Sequence, residues 1–142
     1  MYQGLRNKAV INFDAAEKLS KAPNYHYCAS IHCAYFSCFQ VVKFILLSIF
    51  NEKEDEVYAK RKTGTREIGE HEYYIQRVHE SIISTKDFIA AKDFKNKINE
   101  LKSLRTVSDY KIDTIEQPKS EYAIRLADDV LKILRKNFNY DK

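Results

Sequence analysis

Residues 25–50, YHYCASIHCAYFSCFQVVKFILLSIF, constrain this chain more than any other stretch. Past Pro23 the run contains neither Gly nor Pro, and Lys43 is its one formally charged residue. Apolar residues neither alternate nor keep to one stripe; they cover most of the circumference of a helix, the pattern of a rod enclosed by other rods. At ~100° per residue, Ser30, Ala34, Ser37, Val41 and Ser48 fall on one line, a small-residue groove where a neighbouring backbone can come close. His32, Gln40 and Lys43 form a sparse polar line on another side. The run is long enough to span a bilayer, but three polar groups near its middle would each be costly in hydrocarbon. The chain is therefore read as the central helix of a bundle, with no membrane partner.

At 142 residues the chain is long enough to bury a core as a single domain, 1–142. Three Gly and two Pro are too few for a turn-rich β protein. The expected fold is all-α, an up-and-down bundle of about five helices with a long, buried second helix. Charges run through the first residues with no signal-peptide pattern, and the three Cys lie on one predicted helix, which points to a reducing cytoplasm. Cys28, Cys33 and Cys38 step ~140° around that helix each time, cannot converge, and read as core thiols. A net charge of +4 permits a phosphate-bearing partner without demanding one.

Along the chain, a first helix is predicted over 3–20, stopped by Pro23, with Asn24 as N-cap of the second. Residues 51–69 read as exposed loop. Lys60, Arg61, Lys62 and Arg66 surround Gly64 there as a weak candidate phosphate contact, without Walker spacing or a strand–loop–helix setting. A third helix over 70–85 buries Tyr74, Val78 and Ile82. His71 and His79 lie two turns apart on it, too far to share a metal, and read as structural. No metal-ligand spacing is present, and neither a metal nor any other cofactor is expected. A fourth helix, capped by Asp87 and running to Tyr110, buries Phe94, Ile98 and Leu101. A last helix over 121–138 buries Ala123, Ala127, Val130, Leu134 and Phe138.

The fourth helix carries the most informative irregularity. Continuing its buried face by a turn reaches Arg105, and by another Asp109, both within ~20° of the Ile98 direction. A pair that merely supported the helix would face solvent. Inward charges cost several kcal/mol unless paired, so Arg105 and Asp109 are expected to pair with each other, with polar partners drawn from Ser30, His32, Tyr35 and Ser37 of the second helix.

Two of these segments resemble the HEPN superfamily of prokaryotic helical domains. ASIHCAYFSCFQVVK at 29–43 resembles the family's second helix, rich in small residues around an aromatic pair, and LRTVSDY at 104–110 is similar to the Arg-x-x-Ala-Asp-Tyr signature of one large branch. The resemblance implies a helical bundle that forms a two-fold homodimer. It also implies a link to RNA handling, or to toxin–antitoxin pairs with a nucleotidyltransferase-type protein partner. In the family's ribonucleases a His follows the Arg by four to six residues, and these groups meet across the dimer cleft. Here no His follows His79. Metal-independent RNA cleavage needs a group that exchanges protons near neutrality, usually His. Asp109, held by a cation, is a poor general acid.

The expectation is therefore a dimeric binding module without ribonuclease activity, joined through the face bearing Arg105, with RNA or a nucleotide held by Arg105, Asp109, Tyr110, Ser30 and Tyr35. Two alternatives stay open. One is an active ribonuclease toxin in which His32 or His26 replaces the missing imidazole beside Arg105 and Asp109. The other is a purely structural protein-interaction subunit.

Overall fold

The computed structural model describes residues 2–61, 69–110 and 115–140. Every regular element among them is helical: α1 (Gln3–Leu19), α2 (Tyr27–Phe44), α3 (Glu54–Arg61), α4 (Glu70–Ser84), α5 (Phe88–Tyr110) and α6 (Gln117–Phe138). The all-α bundle expected from the sequence is the fold observed, with α2 at its centre.

The helix from Tyr27 to Ile49 is long and apolar enough to cross a bilayer, yet 72% of its qualifying window is buried inside the protein. Its small-residue line does what the spacing predicts. Ser30, Ala34, Ser37 and Val41 are buried, and the Ser30 hydroxyl donates to the Ala16 carbonyl of α1 at 2.7 Å. Contact that close suits Ala16, itself fully buried, whose side chain is only a methyl group. Cys38 faces α6, its thiol 3.5 Å from the Ala127 carbonyl. At its C-terminal end α2 widens into a π-helical turn, Ile45–Ile49, closed by the Phe50 amide donating to the Ile45 carbonyl at 3.0 Å. The turn lets Phe50 meet Phe138 of α6 edge-on, with centroids 5.8 Å apart.

The remaining helices enclose this rod. Arg6 near the start of α1 lies over Phe44 at the end of α2, so α1 runs antiparallel to α2. α5 also runs antiparallel to α2, since Ser108 near its end donates to the Cys28 carbonyl at the start of α2. Tyr74, Val78 and Ile82 of α4 are buried with Phe94, Ile98 and Leu101 of α5, as their periodicity predicts. Asp87 caps α5, accepting from the Ala90 amide at 3.2 Å.

Five expectations need correction. Asn24 does not cap α2; its side-chain amide donates to the Lys18 carbonyl of α1 at 3.2 Å. That bond adds to the one the same carbonyl accepts from the Lys21 amide at 3.3 Å, so Asn24 helps to close α1. Left-handed Tyr25 (φ 50°) then turns the chain, so α2 starts at Tyr27. Part of the expected 51–69 loop is helix α3, whose first turn holds Glu54, Asp55 and Glu56. Carboxylates suit a helix N-terminus, and buried Val57 anchors the turn. α6 begins at Gln117 rather than 121, because Pro118 falls in its first turn, where no amide donor is needed. The three thiols are not all core: Cys38 is buried, Cys33 intermediate and Cys28 exposed, as the ~140° steps carry them to different sides. Finally, the expected small-residue and polar-site roles of Ser30 separate: it serves the contact with α1 and does not join Arg105.

Candidate functional site

Where the last turns of α5 cross α2, Arg105 and Asp109 face inward and pair, with 3.7 Å between a guanidinium nitrogen and a carboxylate oxygen. Their side chains are only 16% and 19% exposed, so this is an enclosed pair of the kind the helical spacing implies. The guanidinium also lies over two aromatic rings of α2, 5.1 Å from the Tyr35 centroid and 5.3 Å from that of Phe36. Ring faces offset part of its desolvation. Arg105 Nε is buried with no hydrogen-bond partner among the described residues.

Asp109 Oδ2 takes a second partner, His32 Nδ1 of α2, at 2.9 Å. A carboxylate can only accept, so the proton in this bond sits on Nδ1, and Nε2 is left outside it. That ring packs at a tilt against Phe36 (4.7 Å), and the side chain is 46% exposed. Arg105 therefore braces Asp109, and Asp109 orients His32 toward solvent.

A second imidazole lies on the other flank. The Tyr35 hydroxyl is hydrogen-bonded to His71 Nδ1 of α4 at 2.6 Å, and the His71 ring stacks on Phe39 at 3.8 Å. Burial, then the cations Arg105 and Lys102, push the His71 pKa down to about 4, so the ring is neutral at physiological pH. Burial raises the Tyr35 phenol, which keeps its proton. The polar groups of the site thus run His71, Tyr35, Arg105, Asp109, His32 across α4, α2 and α5, with Phe36 touching both imidazoles.

Of the residues singled out in the sequence, Arg105, Asp109, His32 and Tyr35 come together here. Ser30 and Ser37 do not: their hydroxyls donate to the Ala16 and Ala34 carbonyls, on the opposite side of α2. His26 stands exposed at the N-cap of α2, with no contact joining it to Arg105 or Asp109. The side chains of Tyr110, Lys60 and Arg61, and residues Lys62 and Arg66, lie outside the described residues. His71 was missed as a member of the site. Its signal was its place one turn before Tyr74 and two before Val78, on the buried stripe of α4. Among the described residues no three His, Cys, Asp or Glu side chains converge as a metal site. No family model, no curated protein and no solved structure matches this chain.

Proposed function

We propose that this chain is an HEPN-like helical-bundle binding module, working as a homodimer in the cytoplasm and holding single-stranded RNA or a nucleotide without cleaving it. As the resemblance implies, it belongs with a toxin–antitoxin pair and a nucleotidyltransferase-type partner. The observation that supports a non-catalytic reading is the engagement of Arg105 within its own chain. Lying over Tyr35 and Phe36 and facing Asp109, with only 16% of its side chain exposed, it is poorly accessible to a scissile phosphate whose developing charge it would have to stabilise. It instead holds His32 as an exposed polar edge for a ligand.

The test is RNA binding in the presence of a chelator, read beside RNA integrity. Binding should weaken as salt rises and fall in His32→Ala, while the RNA stays intact. A second reading is favoured by one specific contact, the 2.9 Å bond from His32 Nδ1 to Asp109. A carboxylate-oriented imidazole that is 46% exposed is arranged as a general base, able to take the proton of a 2′-hydroxyl. Metal-independent cleavage that disappears in both His32→Ala and Asp109→Asn would establish that reading and end the first. No RNA association at all would leave a protein-interaction subunit.

A further inference from the structure

The side of α2 that faces α1 lies ~180° around the helix from the side that carries Tyr35, Phe36 and His32. On that far side a groove of about 380 Å³ runs between α1 and the end of α6. Its floor is apolar, with Val41 and Leu131 beneath Val10 and Phe13 of α1. Val10 is 70% exposed, and Ile11 on its flank 66%, large apolar side chains on the outer face of a helix whose buried residues are Ala9 and Ala16. The groove is charged asymmetrically. Arg6 and Arg135 stand at one end, Asp14 and Glu17 at the other.

That asymmetry has a symmetry of its own. Arg6 and Asp14 are each four residues from Val10, about 6 Å along the axis in opposite directions. Gln3 and Glu17 are each seven residues from it. Two copies of α1 crossing antiparallel at Val10 therefore set Arg6 of each copy against Asp14 of the other, and the Gln3 amide against Glu17. Lys8 falls opposite Asn12, and Ile11 opposite Ala9, so no paired positions carry like charge. A two-fold interface demands such self-complementarity. Arg6 is already held in place at its end of the groove, its guanidinium over Phe44 (5.5 Å) and Tyr140 (5.9 Å). Among the described residues Asp14 pairs only with Lys18, both more than half exposed, a pair weak enough to exchange.

We infer that the α1 groove docks a second copy of this chain, α1 against α1 about a two-fold axis at Val10. This rests on the homodimer reading above but moves the seam from the Arg105 face to the opposite side of α2. Each His32 site then stays open in the dimer.

The test uses the full chain. A residue on a two-fold axis cross-links to itself, so Val10→Cys, in a Cys28→Ser background that removes the exposed native thiol, should form a disulfide dimer under mild oxidation. In the reduced chain without the new cysteine, Asp14→Arg should raise the dimer dissociation constant at least tenfold by light scattering across a dilution series. Adding Arg6→Asp should restore it to within about threefold of wild type. No cross-link at Val10, or an unchanged dissociation constant in Asp14→Arg, overturns the α1 seam. In that case a dimer that persists leaves the homodimer reading standing on another face, whereas a wild-type chain that is monomeric at every concentration removes both.

Discussion

Arg105 carries a permanent charge into a place where only 16% of its side chain meets solvent, and its surroundings explain how. The charge is answered by Asp109 and by two ring faces, while the fork geometry of the guanidinium lets it do both at once. Removing one partner of an enclosed pair strands the other. Arg105→Ala should therefore cost about 3 kcal/mol in urea denaturation. Arg105→Lys should recover only part of this, since an ammonium cannot lie flat over Tyr35 while reaching Asp109. His71 gives the second residue-scale prediction. Its folded pKa of about 4 lies below the ordinary 6.5, so between those values the unfolded chain binds the extra proton. Stability from His71 is complete above about pH 6.5, falls as pH drops through the window, and is gone below about 4. Partial exposure screens the effect to about 1–2 kcal/mol. His71→Phe keeps a ring on Phe39 but cannot titrate, so its loss of stability between pH 7.5 and 4.5 should be smaller than that of wild type. A difference of the opposite sign would refute the neutral-imidazole assignment. At this scale the sequence was informative where period and charge conflict, as at Arg105 and Asp109. It put His71 on the buried stripe of α4 but no further, because nothing in a helical stripe tells which position will meet an aromatic ring from another helix.

Elements here are placed by what their side chains lack. The line Ser30, Ala34, Ser37, Val41 lets α1 approach α2 until a serine hydroxyl reaches a backbone carbonyl. Ser30→Ala should cost about 1 kcal/mol, the worth of one buried hydrogen bond, since the Ala16 carbonyl still accepts from the Ser20 amide. Ser30→Leu should cost about 3 kcal/mol, because the branched chain has no space between two backbones at contact distance. Equal effects in thermal melts would show that the hydrogen bond, not the clearance, sets the helix spacing. The long elements were legible for this reason: burial all round marks α2, and single stripes mark α4, α5 and α6. Misread boundaries share another cause. Asn24, Pro118 and the Glu54–Glu56 acidic run are local signals that serve more than one structure. Asn24 closes a helix instead of opening one, and Pro118 sits inside a first turn instead of before it. The acidic run opens a short helix where it read as loop.

In the molecule as a whole α2 is enclosed on every side but one, and its three cysteines report on that enclosure independently. Cys28 is exposed, Cys33 half-buried and Cys38 fully buried against α6. Burial raises the Cys33 pKa and pushes Cys38 up to about 12, so the thiolate needed for alkylation or disulfide exchange becomes scarcer with depth. Access falls in the same order. In the native protein at pH 7.5, Cys28 should react first with a thiol reagent and Cys33 more slowly. Cys38 should react only as fast as the bundle opens globally, because no smaller motion frees a thiol lodged between α2 and α6. In denaturing guanidinium chloride all three should react together. Ser30→Leu, which loosens the bundle without touching a cysteine, should speed Cys38 labelling in proportion to its loss of stability and leave Cys28 unchanged. Labelling of Cys38 at the rate of Cys28 in the native chain would mean that α2 is a surface helix. The enclosure of Arg105, the neutrality of His71 and the orientation of His32 would then lose their common support, since all three depend on the ring layer that α2 presents inside a closed bundle.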